Sequence, residues 1–472
     1  MKELLEKYDL VIGLEIHAEL NTKTKLLCGC ANEFGGAPNT NCCPVCLAYP
    51  DAKPQLNKAA VEKTITAGLA MGADINDLAI WERKCYFYPD LASGYQTSQM
   101  LRPVCLNGGI TLKSGKIIRL KQIHLEEDAG KLIHNDASGE SYVDLNRGGV
   151  PLIEIVTKPD ISSPDEAVEF LEEVRSRLMF SNVANCKMEE GGMRCDVNLS
   201  LVKKGAGGLG ARTETKNLNS FKSVAAAIIY EAKRHAQALD KGETILVETR
   251  KWNEQTGQTS GMRPKESAIY IVSPDMDVVK ITKDDVQNLK NKLPMLAAEL
   301  KEKFTNEFGL PEYDTMVLTK ARETAAFYLE CVKHLHEPKK VSNWLMVDLF
   351  KIMNELGVEH FPISAKHFTN IIKMVEDKTI TKTVGLQLLQ EVINTQKEPA
   401  ILAKELGLLV TITDEQIKNI LKQLEGENPK VIEDYKQNKD KVLKFIVGYV
   451  MKNTQGKAKS EVVEKLISQL FD

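Results

Sequence analysis

The stretch Val11-Ile12-Gly13-Leu14-Glu15-Ile16-His17-Ala18-Glu19-Leu20 decides how the chain is read. Apolar and polar residues alternate along it, which is the period of a strand buried on one side. Glu15, His17 and Glu19 share one face, and Leu14, Ile16, Ala18 and Leu20 share the other. The pattern recurs. His124-Leu125-Glu126-Glu127-Asp128 puts His124, Glu126 and Asp128 together, and Arg194-Cys195-Asp196-Val197-Asn198 aligns Arg194, Asp196 and Asn198. Thr213-Glu214-Thr215-Lys216 aligns Glu214 with Lys216. A single polar stripe is usually the wet face of an antiparallel sheet. Four stripes in which carboxylates gather with histidine have the donor composition that suits Mg²⁺ or Mn²⁺. The expectation is a sheet that holds divalent cations and phosphates.

With 472 residues the chain has room for two to four domains. Charge is nearly balanced, 62 Lys plus Arg against 65 Asp plus Glu, so a nucleic-acid site must be a local patch. The start, Met1-Lys2-Glu3-Leu4-Leu5-Glu6-Lys7, lacks the apolar core of a signal peptide. No run approaches the roughly 18 apolar residues of a membrane span. A soluble, cytoplasmic protein with no membrane partner is expected.

Five of the ten cysteines crowd into Cys28-Gly29-Cys30 and Cys42-Cys43-Pro44-Val45-Cys46. A C-x-C followed by a C-x-x-C is zinc-ligand spacing, and four thiolates make a closed, structural site. Cys43 fits the C-x-x-C arm better than Cys42. Cys85, Cys105, Cys186, Cys195 and Cys331 read as small core residues.

Ser163-Pro164-Asp165-Glu166 starts a helix, with Ser as cap and Pro in the first turn. Ala167, Phe170, Leu171, Val174 and Leu178 form its inner stripe. A second helix follows Asn219-Ser220, with Val224, Ile228, Ile229 and Ala232 inward. Gly205-Ala206-Gly207-Gly208-Leu209-Gly210 matches G-x-G-x-x-G, but another strand follows it, so it is a hairpin connection rather than a dinucleotide loop. No Walker-type loop is present, so ATP phosphates would be held through metal and basic side chains. After about residue 292 the chain becomes helical and rich in Lys and Glu. A helical domain is expected at 293–400, a break at Glu398-Pro399, and a small helical domain at 401–472. Between Pro429 and Lys459 eight lysines face three acids, which suits either an RNA phosphate contact or a solvated face.

Taken in order, several long runs resemble the B-subunit family of glutamine-dependent aspartyl/glutamyl-tRNA amidotransferases (GatB). They are Val11 to His17, Lys84-Cys85-Tyr86-Phe87-Tyr88-Pro89-Asp90, and His124 to Lys131. Asp144 to Val156, Lys187-Met188-Glu189-Glu190-Gly191, Arg194 to Asn198, Lys216 to Phe221 and Ser342-Asn343-Trp344-Leu345-Met346 follow. The likeness covers essentially the whole chain.

The resemblance implies an α+β fold. A cradle-like antiparallel-sheet domain similar to glutamine synthetase (1–292) precedes the helical domain and a YqeY-like tail that holds tRNA. It implies ATP-dependent phosphorylation of the side-chain carboxylate of Glu-tRNA(Gln) or Asp-tRNA(Asn). Ammonia from an amidase-type A subunit then displaces phosphate, and a small C subunit completes a heterotrimer. Carried over residue by residue, Glu15, His17, Glu126, Glu127 and Glu214 are the expected Mg²⁺ ligands, with Asp196 as a further candidate in the ATP–metal site. On an ideal strand Glu127 points away from Glu126, so it needs a bulge or a strand end to join them. Arg147, Lys187, Arg194 and Lys216 are the expected phosphate contacts. Cys28, Cys30, Cys43 and Cys46 match the zinc-bearing members. One segment departs from the family. Where most members carry Asp-Tyr-Arg-Tyr-Phe-Pro-Glu-Pro-Asp, this chain has Ser267-Ala268-Ile269-Tyr270-Ile271-Val272-Ser273-Pro274-Asp275 after Lys265-Glu266, so Ile269 and Ile271 stand at the Arg and Phe positions.

Two other readings compete. A stand-alone ATP-dependent ligase for a small acid has no use for a basic helical tail. A non-catalytic zinc- and RNA-binding module has no use for clustered carboxylates, which repel phosphate unless cations bridge them. The chain has no amidase signature, so ammonia is expected from a partner.

Overall fold

The computed structural model describes residues 2–135, 138–264, 268–409, 412–437, 439–454 and 458–471. Two compact units emerge, Met1–Ala297 and Ala298–Asp472.

The first unit is built on strands β1 (Tyr8–Glu19), β2 (Glu82–Cys85), β3 (Tyr95–Ser98), β4 (Ile117–Glu127), β5 (Pro151–Thr157), β6 (Met193–Lys203), β7 (Thr213–Leu218), β8 (Glu248–Asn253), β9 (Gln258–Pro264) and β10 (Ile269–Val272). The large sheet runs β9-β8-β7-β6-β1-β5-β4 and continues into the short strands Cys105–Leu106 and Asp74–Ile75. Its pairs are antiparallel except β7 with β8, which run parallel. The antiparallel sheet and the α+β class expected from the resemblance are present, with that one parallel pair at the side of the sheet. Its cause lies in the connection: helix α2 (Phe221–Asp240) carries the chain from the end of β7 back to the start of β8, as a parallel pairing requires.

The alternation in β1 holds through its whole length. Ile12, Leu14, Ile16 and Ala18 are buried in one apolar cluster with the inner faces of helices α1 (Pro164–Phe180) and α2. Ser163 caps α1 by accepting from the Glu166 amide at 3.1 Å. Ser220 caps α2 by accepting from the Ser223 amide. Along α2 the buried stripe is Val224, Ala227, Ile228, Glu231 and Ala232, while Ile229 is only half-buried. The segment 204–212 joins β6 to its antiparallel neighbour β7, and no helix follows it.

A separate three-stranded sheet, β10-β2-β3, is tied to the end of β4. Gln96 donates to the Glu127 carbonyl at 2.9 Å, and the Ser98 hydroxyl donates to Glu126 at 3.0 Å.

The second unit is helical. Phe304, Phe308 and Tyr328 interlock by their rings, and Phe327 stacks on Phe361 at 4.0 Å. Glu398 caps the helix Pro399–Glu405 and so starts an element. Pro399, Leu402 and Ala403 of that helix are buried. A distinct apolar cluster begins with the helix Asp414–Glu427. It joins Ile417, Leu421 and Leu424 to Ile432, Tyr435, Ile446, Val450, Val463, Leu466 and Ile467. No described helix is long and apolar enough to cross a membrane.

Candidate active site and metal centres

The polar face of the large sheet is the floor of a cleft. Register brings its side chains together. His17 on β1 lies opposite Glu154 on β5, and Glu154 lies opposite His124 on β4. Glu15 lies opposite Asp196 on β6, and Asn198 opposite Glu214 on β7. Residues opposite one another across a pair stand close enough for their polar ends to meet.

Two ligand groups result. His17, Glu126 and Glu154 offer donor atoms within 4.8 Å of one another, and so do Glu15, Asp196 and Glu214. His17 Nε2 is 3.4 Å from Glu154 and 3.8 Å from Glu126. His124 Nε2 lies 3.3 Å from Glu126 and 3.4 Å from Glu154. Burial opposes a charge on His124, yet Glu154 and Glu126 outweigh it and push its pKa up to about 10. His17 is raised too, burial again being outweighed by Glu154 and Glu126. The carboxylates therefore favour positive charge at this spot. In the second group Lys216 pairs with Asp196 and lies 3.8 Å from Glu214. Burial opposes the Lys216 charge, but Asp196 and Glu214 hold its pKa above the usual range. Asn198 donates to Glu15 at 2.9 Å, and Thr249 donates to Glu214 at 2.7 Å. All-oxygen donors in one group and oxygen plus imidazole in the other fit Mg²⁺ or Mn²⁺.

Glu154 was not among the expected ligands, and the structure adds it as a candidate, while His124 stands beside that group, paired with Glu126 and Glu154. Glu127 is placed apart from these groups. No bulge rotates it toward Glu126. Its carboxylate accepts from the Thr97 amide at 2.8 Å and lines a cavity with Lys25, Cys28, Cys46 and Gly149, on the other side of the strand.

The four expected phosphate contacts separate into two pairs. Arg194 and Lys216 line the cleft together with His17, Lys84, Gln96, Glu126 and Asp196. Arg147 instead donates to the carbonyls of Ala129 at 3.0 Å and Gly130 at 3.1 Å. Asp128 accepts from Arg194 at 2.8 Å and lies 3.5 Å from Arg147. Burial opposes the Asp128 charge, but Arg194 and Arg147 hold its pKa low. Burial and Asp128 raise neighbouring Glu19 to about 8. Lys187 pairs with Glu190 at 3.1 Å on a mostly exposed turn and is not among the residues that line the cleft.

Ile269 and Ile271 pair with Cys85 and Arg83, whereas Tyr270 pairs with Lys84. Ile269 and Ile271, at the family's Arg and Phe positions, thus lie on the face of the small sheet turned away from the Lys84 row, and both are exposed. Lys265 and Glu266 lie outside the described residues.

Cys28, Cys30, Cys43 and Cys46 bring their sulfurs within 4.8 Å of one another, with Cys28 and Cys46 at 3.5 Å. Four thiolates about 2.3 Å from a tetrahedral zinc ion need this kind of spacing. Hydrogen bonding from Cys28 lowers the Cys46 thiol to about 4, against the effect of burial. Hydrogen bonding to Cys46 and burial raise Cys28. Cys42 points elsewhere, 3.8 Å from the Asn146 side-chain oxygen. Lys25, fully buried, lies 3.5 Å from Cys46 Sγ and donates to the Leu145 carbonyl at 3.2 Å.

A family described as the GatB/GatE catalytic domain matches residues 10–287, and one described as the GatB domain matches 326–471. The B subunit of the aspartyl/glutamyl-tRNA(Asn/Gln) amidotransferase of Caldicellulosiruptor saccharolyticus is 45% identical over 98% of this chain and 99% of its own length. The protein of the same name from Clostridium tetani is 45% identical over 98% of both chains. That of Thermoanaerobacter sp. (strain X514) is 42% identical over 98% of this chain and 99% of its own.

Proposed function

Because the chain belongs to the B-subunit family of aspartyl/glutamyl-tRNA amidotransferases, we propose that its sheet domain uses ATP to activate the side-chain carboxylate of Glu-tRNA(Gln) or Asp-tRNA(Asn). A carboxylate does not accept ammonia, because its leaving group would be an oxide. In the proposed first step a carboxylate oxygen attacks the γ-phosphorus, and the bond to ADP breaks with its electron pair going to ADP. In the second, ammonia attacks the carbonyl carbon, the carbon–oxygen bond to phosphate breaks, and nitrogen loses a proton.

The observation that carries the reading is the pair of adjacent ligand groups on one sheet face. Glu15, Asp196 and Glu214 would hold one cation and His17, Glu126 and Glu154 another. Mg²⁺ bound there supplies positive charge to the phosphate oxygens. Around that floor the chain fixes its own groups. Lys216 is held by Asp196 at the edge of the cleft, and Arg194 by Asp128. The four-cysteine knuckle would hold zinc, which supplies a structural cross-link. The lysines of the tail would grip the tRNA body. Ammonia would come from an amidase-type A subunit, with a small C subunit joining the two.

The test is ATP cleavage by the assembled complex with misacylated tRNA and ammonium salts as donor. Wild type should cleave ATP only with both tRNA and a divalent cation, and His17→Ala should not. Full transamidation by His17→Ala with ammonium would overturn the reading.

A further inference from the structure

The basic groups of the cleft differ in how they are compensated. Lys216 is paired with Asp196 and Glu214, and Arg194 with Asp128. Lys84 also lines the cleft, yet among the described residues it has no hydrogen-bond or ion-pair partner. It sits on β2 between Tyr270 of β10 and Gln96 of β3, in the row of the small sheet that faces the floor. The row is held there by the Ser98–Glu126 hydrogen bond from the same face. Lys84 is therefore suspended opposite the floor by a pinned sheet, and does not lie along a surface.

Burial opposes its charge, and the field of Glu126 and Glu154 outweighs burial and keeps it an ammonium. Those two carboxylates belong to the first ligand group. A divalent cation on them takes up the negative field that now compensates Lys84. In the loaded site the floor is close to neutral, since two divalent cations and Lys216 match the five carboxylates Glu15, Glu126, Glu154, Asp196 and Glu214. Lys84 then holds an uncompensated positive charge across the cleft from the cations. Such a charge, poorly solvated and fixed by its backbone, stabilises an anion arriving between it and the floor.

From this position, which rests on the phosphoryl-transfer reading above, we infer that Lys84 contacts the phosphoryl group in flight between ATP and the substrate carboxylate, and is a catalytic residue of that step. Two anions must approach one another there, the γ-phosphoryl oxygens and the carboxylate. Lys84 acts where their charges meet. It transfers no proton and forms no bond.

The experiment compares Lys84→Met and Lys84→Arg with wild type in the assembled complex. It measures tRNA-dependent ATP cleavage, the KM for ATP, Mn²⁺ affinity and zinc content. Lys84→Met should lower kcat about 100-fold or more, with KM for ATP changed less than about threefold. Mn²⁺ should bind no more weakly than in wild type, because a positive charge has been removed from beside its ligands. Lys84→Arg should recover part of the rate. An unchanged kcat overturns the assignment. So does a kcat loss with weakened Mn²⁺ binding, which would make Lys84 a structural support. A rise in KM for ATP with unchanged kcat also overturns it, because Lys84 would then hold only ground-state ATP. A wild-type complex that cleaves no ATP with misacylated tRNA overturns the functional reading itself, and the assignment falls with it.

Discussion

Glu154 is the residue the sequence hid best. It sits in the run Pro151-Leu152-Ile153-Glu154-Ile155-Val156, where one acid among apolar neighbours gives no period. Only the register against His17 and His124 reveals it as a candidate ligand, and register is a long-range property. Glu127 is the opposite case, because strand parity already points it away from Glu126, and its carboxylate accepts from the Thr97 amide. Glu154→Gln should therefore abolish cation-dependent ATP cleavage, while Glu127→Gln should leave most of it, as initial rates will check. A second prediction concerns pH. In cation-free protein the His124 pKa is pushed up to about 10 and His17 is raised above its usual value. A cation that replaces that positive charge must expel protons, so its affinity rises with pH. Mn²⁺ affinity should keep rising from about pH 6 to 8, whereas ordinary imidazoles would let it level off above about 6.5. Titrations in buffers of different ionisation enthalpy will count the protons released.

At the scale of elements, local signals were legible wherever the chain carries a cap or a period. Ser163 and Ser220 cap the helices their positions announced, and β1 keeps its alternation. Ser163→Ala should cost about 1 kcal/mol of sheet-domain stability by removing the bond to the Glu166 amide, which denaturant melts will read. Pairing was not legible. Neither the parallel β7–β8 pair nor the separate sheet carrying Lys84 follows from composition, because both depend on contacts between distant segments. The knuckle lies between these extremes. Its spacing gave four sulfurs, and the structure separates Cys43, inside the cluster, from Cys42, turned to Asn146. Metal analysis should find about one zinc per chain, as a closed four-thiolate site requires. Cys43→Ser should lose it, and Cys42→Ser should keep it.

At the scale of the whole molecule, the tail is a cluster of helices with its own apolar core and a surplus of lysine. Lys430, Lys436, Lys444 and Lys452 are exposed, while the side chains of Lys439 and Lys441 lie outside the described residues. Net charge is only −3, so a grip on tRNA has to be local. A chain ending just before Thr413 spares the helix Pro399–Glu405 and should keep its zinc and Mn²⁺ sites. Its tRNA affinity should fall, and the lost part should be the salt-sensitive part, because phosphate contacts release counterions. Equal tRNA binding at every salt concentration would reduce the lysines to a solvated face. The chemistry belongs to the other end of the chain, and one experiment reaches it directly. Misacylated tRNA carrying oxygen-18 in its side-chain carboxylate is converted by the assembled complex with ATP and ammonium, and the released phosphate is weighed. If the cation floor phosphorylates the carboxylate, each phosphate carries one heavy oxygen drawn from the substrate, and the Glu154→Gln complex releases none. Phosphate free of the label, formed alongside amidated tRNA, would contradict the account.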